Sequence, residues 1–178
     1  MTPQEFYNGP YRQTLEAGEL ECQEQAWVSN VVWFEKADRC WRTICHRVTL
    51  PMLTAVNHAL WMESVRRDVA RMVALCIQLA TYLDSTENIL TRSDAIMRPK
   101  MMDYGSDENF AINFIRSAER ARLDPSQVWV VFADKHFGAI CNFVQHEKLE
   151  SEDVRDRIAD LINYCTLLMG MIVAKVIE

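Results

Sequence analysis

The chain reads as an all-α protein, a single helical bundle of about six to seven helices. Three observations predict this. Glycine and proline are scarce, five of each in 178 residues, too few for the turns of a β architecture. Apolar residues recur at three- and four-residue spacing through long runs, the period of one helix face. Polar residues suited to capping stand where those runs begin. Val128–Phe132 is apolar enough for a strand, but its flanking caps favour a helix.

Each element has its own signal. Gly9-Pro10 and Gly18 in a polar, acidic stretch predict an irregular arm with a short helix over the first ~25 residues. Trp27, Val28, Val31, Val32, Phe34, Cys40, Trp41, Ile44, Cys45 and Val48 then mark one apolar helical stripe. Pro51 suits the first turn of the next helix, where its missing N–H is harmless. That helix continues through Val56, Leu60, Val65, Val69, Met72, Val73, Cys76 and Leu79 to Leu83, with a break expected near Asn57–Trp61.

Asp84-Ser85-Thr86 is a capping cluster for a helix over Glu87–Met97, disturbed by Pro99. Tyr104-Gly105-Ser106 reads as a loop with Gly105 in a left-handed turn, after which Ser106 or Asp107 caps a helix reaching Arg122. Asp124-Pro125 is an N-cap followed by a first-turn proline, starting a helix to His146 with Val128, Val131, Phe132, Ile140 and Phe143 inward. Ser151 caps the last helix, striped by Val154, Ile158, Leu161, Ile162, Cys165, Leu168, Met169, Ile172 and Val176.

Composition narrows the function classes. A net charge of −6 and a pI near 5.3 argue against a broad duplex nucleic-acid footprint. Arg66, Arg67 and Arg71 read as a solvated helix face. Cys40, Cys45, Cys76, Cys141 and Cys165 lie within apolar patterns and no CxxC pair exists, so neither a disulfide framework nor a structural zinc is expected. The first residues lack a basic region followed by an apolar run, and no stretch approaches the ~20 apolar residues of a membrane span. A cytoplasmic, reduced protein with no membrane association is expected.

The residues that could carry chemistry concentrate after Lys100. Asp153, Asp156 and Asp160 fall on adjacent turns of the last helix, and Asn163 follows three residues later. Carboxylates so spaced can hold Mg²⁺ while leaving water and phosphate positions open. Acidic residues also complement a helix N-terminus, which accounts for Glu152 and Asp153 but not for Asp160, two turns in. Lys135 and His136 lie mid-helix between Phe132 and Ile140, where they could meet a phosphate or simply cover apolar surface. In DYGSDENF, Asp103 to Phe110, Asn109 and its neighbours are turn formers by default, and Tyr104 could stack on a base. Glu16-x-x-Glu19 and Glu21-x-x-Glu24 have ligand spacing but read as solvated surface, as do Glu35 and Asp38.

Ile89 to Val176 resembles the nucleotide modification associated domain, a helical module common in bacteriophage genomes. The resemblance rests on the KxxDYGSxxNF stretch from Lys100, on Lys135-His136, and on SExxxxRIxDLINYxxLL from Ser151 to Leu168. It divides the chain into 1–88, of no assigned role, and 89–178. It is similar in outline to the all-α nucleoside triphosphate pyrophosphohydrolases of MazG and helical dUTPase type, which hold Mg²⁺ between ExxE and ExxD pairs. Asp160 matches the final Asp; Arg157 stands where the preceding Glu belongs, with Asp156 or Glu152 as substitutes.

The resemblance implies a nucleotide-binding protein of phage nucleotide metabolism, with Mg²⁺-dependent hydrolysis of a (deoxy)nucleoside triphosphate as its fullest form. Asp156, Asp160 and Glu152 would hold metal, with Asp156, Asp160 and His136 catalytic. Lys135, Asn163, Tyr104 and Asn109 would contact the nucleotide. The competing reading is a non-enzymatic helical phage protein, a modulator of another protein or a structural subunit, with Trp27, Trp33, Trp41 and Trp61 forming an interface or a homo-oligomer seam.

Overall fold

The computed structural model describes residues 1–23, 29–50, 55–83, 88–106, 108–146 and 153–177. It is all-α, and no strand occurs among the described residues. Trp27, Val28, Glu24, Pro51, the 84–86 cluster, Asp107, Ser151 and Glu152 lie outside those residues.

The N-terminal stretch is helical rather than irregular. Helix α1 (Pro3–Phe6) opens with a reciprocal capping box between Thr2 and Glu5 and passes through a π turn (Tyr7–Tyr11) into α2 (Arg12–Gln23). Gly9-Pro10 does not break the run, because the wider π turn accommodates the proline that an α ladder would reject. Gly18 is buried for a different reason: a Cβ there would come within 2.3 Å of Val73 Cγ1. It lets α2 lie close against α4 (Ala55–Leu83), which runs without the break expected near residue 60.

Helix α3 (Asn30–Thr49), capped by Ser29, buries Trp33, Ala37, Trp41, Ile44 and Val48. The apolar stripe read from sequence holds at Trp41, Ile44 and Val48 but not at its start, where Val31 is 68% exposed and Trp33, outside the stripe, is buried. Two indoles fix this face: Trp33 Nε1 donates to the Leu75 carbonyl at 2.8 Å, and Trp41 Nε1 to Asp134 Oδ1 at 2.9 Å. Buried indoles need such partners. Trp33 and Trp41 are therefore core residues, which corrects their assignment to an interface; Trp61 Nε1 is likewise engaged by the Arg47 carbonyl.

Helix α5 (Ile89–Tyr104) starts at Asn88, whose side chain accepts from Leu90 N and Thr91 N. It passes through Pro99 instead of ending near Met97, because Pro99 is exposed while Met97 and Met101 anchor the helix on either side. Gly105 is extended (φ −82°, ψ −176°), not left-handed; glycine is needed because a Cβ would approach the Met101 carbonyl oxygen to 2.5 Å. Helix α6 (Ile112–Ala121) has no side-chain cap, so Ser106 does not start it, and Arg122 ends it in a left-handed conformation. Helix α7 (Pro125–His146) begins at the predicted Asp124-Pro125 boundary, although Val131 is 62% exposed rather than inward.

Helix α8 (Val154–Val173) is the axis of the bundle, with Asp153 as its cap. From Ile158 to Ile172 every residue except Tyr164 is buried. A helix enclosed on all sides needs neighbours on all sides. Helices α4, α5 and α7 and the π turn all pack on it, so elements from both sides of residue 88 share one core. All six cysteines are free thiols. No helix among the described residues is long and apolar enough to cross a membrane.

At Gly170, α8 receives the N-terminus. Phe6 stacks on Phe110 with centroids 4.6 Å apart, and a Cβ on Gly170 would sit 2.6 Å from Phe6 Cδ2 and 2.9 Å from Phe110 Cζ. We expect Gly170→Ala to force both rings aside and cost about 1–3 kcal/mol, read as a lowered denaturation midpoint with an unchanged m-value.

Candidate functional site

A cleft of about 490 Å³ opens between α5, α6, α7 and α8. Helix α5 delivers Lys100 and Tyr104 to it on the same apolar face as Met97 and Met101, at the i, i+3, i+4, i+7 spacing of one stripe. Helix α7 contributes Phe132, Lys135 and His136, one turn apart, while α8 contributes Arg157, Asp160, Asn163 and Tyr164. Phe110, Asn113 and Phe114 come from the 105–111 connection and α6.

The charged end is organised around Asp160, which is 8% exposed. Lys100 Nζ lies 2.5 Å from its Oδ1, and His136 Nδ1 lies 3.5 Å from its Oδ2. Arg157 Nη1 is 3.4 Å from His136 Nδ1. Asp160 Oδ2, an acceptor, and Arg157 Nη1, a donor, thus face the same ring nitrogen, and the tautomer decides which of them it bonds. Burial is the main reason His136 titrates low, at about 4; the Asp160 carboxylate opposes that shift, while Lys135, Arg157 and Lys100 add to it. His136 is thus a neutral imidazole at pH 7.

The other end is aromatic. Phe114 lies 5.9 Å from Phe132 and 6.3 Å from Tyr164, centroid to centroid, and Tyr164 lies 5.2 Å from the His136 ring. The wall of rings therefore meets the charged cluster at His136. Burial, and next the Asp160 carboxylate, push the Tyr164 hydroxyl up to about 12, so it stays protonated.

Asn163 is fixed between the two ends. Its Oδ1 accepts from Ser93 Oγ at 2.6 Å and its Nδ2 donates to the Ser93 carbonyl at 3.0 Å. This two-way clasp between α5 and α8 determines the orientation of the amide.

The candidates from sequence divide accordingly. Asp160, His136, Lys135, Asn163 and Tyr104 all line the cleft. Asp156 does not: it pairs with Arg92 Nε at 2.8 Å, while Asp153 caps α8 and binds Arg155 and Arg92. The acidic triplet is thus spread over three tasks. Asn109 also stays outside the lining, its Oδ1 accepting from Ala111 N at 2.9 Å within its own turn. Glu152 lies outside the described residues. Lys100, Arg157, Asn113 and Tyr164 also line the cleft, beyond the ligand contacts expected from sequence. The stripe register of α5 could have marked Lys100, a charge among core methionines; Arg157 needed the position of α7.

Among the described residues no three His, Cys, Asp or Glu side chains come together. Among the described residues, Asp160 is the one acidic side chain of the cleft lining, and it already faces Lys100. Of the three residues expected to hold Mg²⁺, Asp160 is in the cleft, Asp156 is outside its lining, and Glu152 lies outside the described residues. Glu16, Glu19 and Asp38 lie on the surface or in local ion pairs, as expected.

No protein-family model, curated protein or solved structure matches the chain.

Two outcomes follow from this geometry. His136 has its folded pKa below its ordinary value, so between pH 6.5 and about 4 the unfolded chain binds the proton and the folded one does not. Stability should therefore fall on acidification through that window, by on the order of 2 kcal/mol, and the loss should shrink in His136→Gln when midpoints are compared across pH. Ser93→Ala strips Asn163 of a buried donor and should cost about 1–3 kcal/mol in chemical denaturation.

Proposed function

We propose that the chain is a nucleotide-binding protein whose ligand lies in the α5–α8 cleft. The observation that carries this reading is the meeting at His136 of two surfaces that a nucleotide needs. Lys100, Lys135 and Arg157 gather on a chain whose net charge is −6, and Phe114, Phe132 and Tyr164 form a contiguous ring wall beside them. Cations hold phosphate oxygens, arginine by a fork and lysine as a point charge. Aromatic faces stack on a base of any identity. Asn113 adds an amide group able to meet a sugar or base edge.

The cleft volume suits one small ligand, since such pockets measure about 300–1,000 Å³. The resemblance of 89–176 to a phage nucleotide modification associated domain points in the same direction. Of the tryptophans that an interaction surface would use, Trp33 and Trp41 lie in the core.

Thermal denaturation of the full chain against nucleosides and nucleotides tests the reading. A ligand at a hundred times its Kd should add about 2.7 kcal/mol, or about 5–10 °C at this size. Uniform silence across all bases and phosphate states would remove it.

A further inference from the structure

We infer that this cleft is matched to a nucleoside monophosphate rather than to a di- or triphosphate. The inference rests on the nucleotide reading and narrows its ligand class. Among the described residues, three cationic side chains line the cleft, Lys100, Lys135 and Arg157, and one carboxylate, Asp160, stands among them. With His136 neutral, the lining carries a formal charge of +2. A phosphomonoester carries about −1.5 to −2 at pH 7, so one such group neutralises the lining.

Further phosphoryl groups would have to lie in the same space with no further cation among the described lining residues to meet them. They would also approach Asp160, which is held in place by Lys100 at 2.5 Å and by its own burial. Like charge in a confined, partly desolvated cleft is repelled more strongly than in bulk water. The aromatic wall fixes the opposite end of the ligand, so a longer phosphate chain cannot slide away from Asp160 without giving up stacking.

Titration calorimetry of the full-length protein in EDTA, at fixed ionic strength, tests this directly. The probes are each base as nucleoside, mono-, di- and triphosphate, with inorganic phosphate alone beside them. The monophosphate should bind about tenfold more tightly than the nucleoside and about tenfold more tightly than the triphosphate. Affinity that climbs steadily to the triphosphate overturns the inference while leaving the nucleotide reading intact. Failure of every nucleotide to bind overturns both. Salt gives the second readout: raising it should weaken the monophosphate and spare the nucleoside, and equal indifference of the two would overturn the charge match.

Discussion

Full enclosure of α8 is the constraint on which the rest of the molecule depends. A helix buried on every side must have each of its polar side chains answered by a neighbour, because an unanswered one costs the desolvation of the group. Ser93 and Lys100, both on α5, meet Asn163 and Asp160, and Thr166 turns back on the Asn163 carbonyl at 2.8 Å. The placement of α5 is thereby specified by polar contacts as well as by apolar packing. The cleft opens where those polar side chains reach the edge of the core.

The same interactions that satisfy the core also set the character of the cleft. Asp160 is a carboxylate retained by a lysine that is itself half exposed, so the pair faces solvent on one side and the core on the other. His136 stands between the Asp160 carboxylate and three cations and is kept neutral by burial, which leaves it as a hydrogen-bonding group rather than a charge. An acidic protein thus presents a locally basic concavity, and local potential rather than net charge governs what approaches it.

Much of the fold was legible in the sequence because helix periodicity and capping are local. The Asp124-Pro125 start of α7 is an example, where proline's fixed φ suits the first helical position. What could not be read locally was decided by packing. That Trp33 rather than Val31 faces inward on α3 followed from its indole N–H finding an acceptor in the Leu75 carbonyl of α4. The helicity of the N-terminal stretch followed from a π turn and from Gly18 fitting against Val73. In the site, Asp160 could be distinguished from Asp153 by its distance from the helix start. Separating Asp156 from Asp160 required Arg92 and Lys100, which lie more than fifty residues away.

The contact among Phe6, Phe110 and Gly170 ties the first helix, the cleft wall and the last helix into one place, and the Met1 carbonyl accepts from Phe110 N–H at 3.3 Å. During vectorial synthesis these parts emerge far apart in time. Helices α2 and α4 can pair early, but the wall of the cleft has to wait for α8 to leave the ribosome. The cleft wall is therefore completed late: a nascent or truncated polypeptide ending before Gly170 retains Lys100, Lys135 and His136 yet lacks the part of α8 against which Phe6 and Phe110 pack.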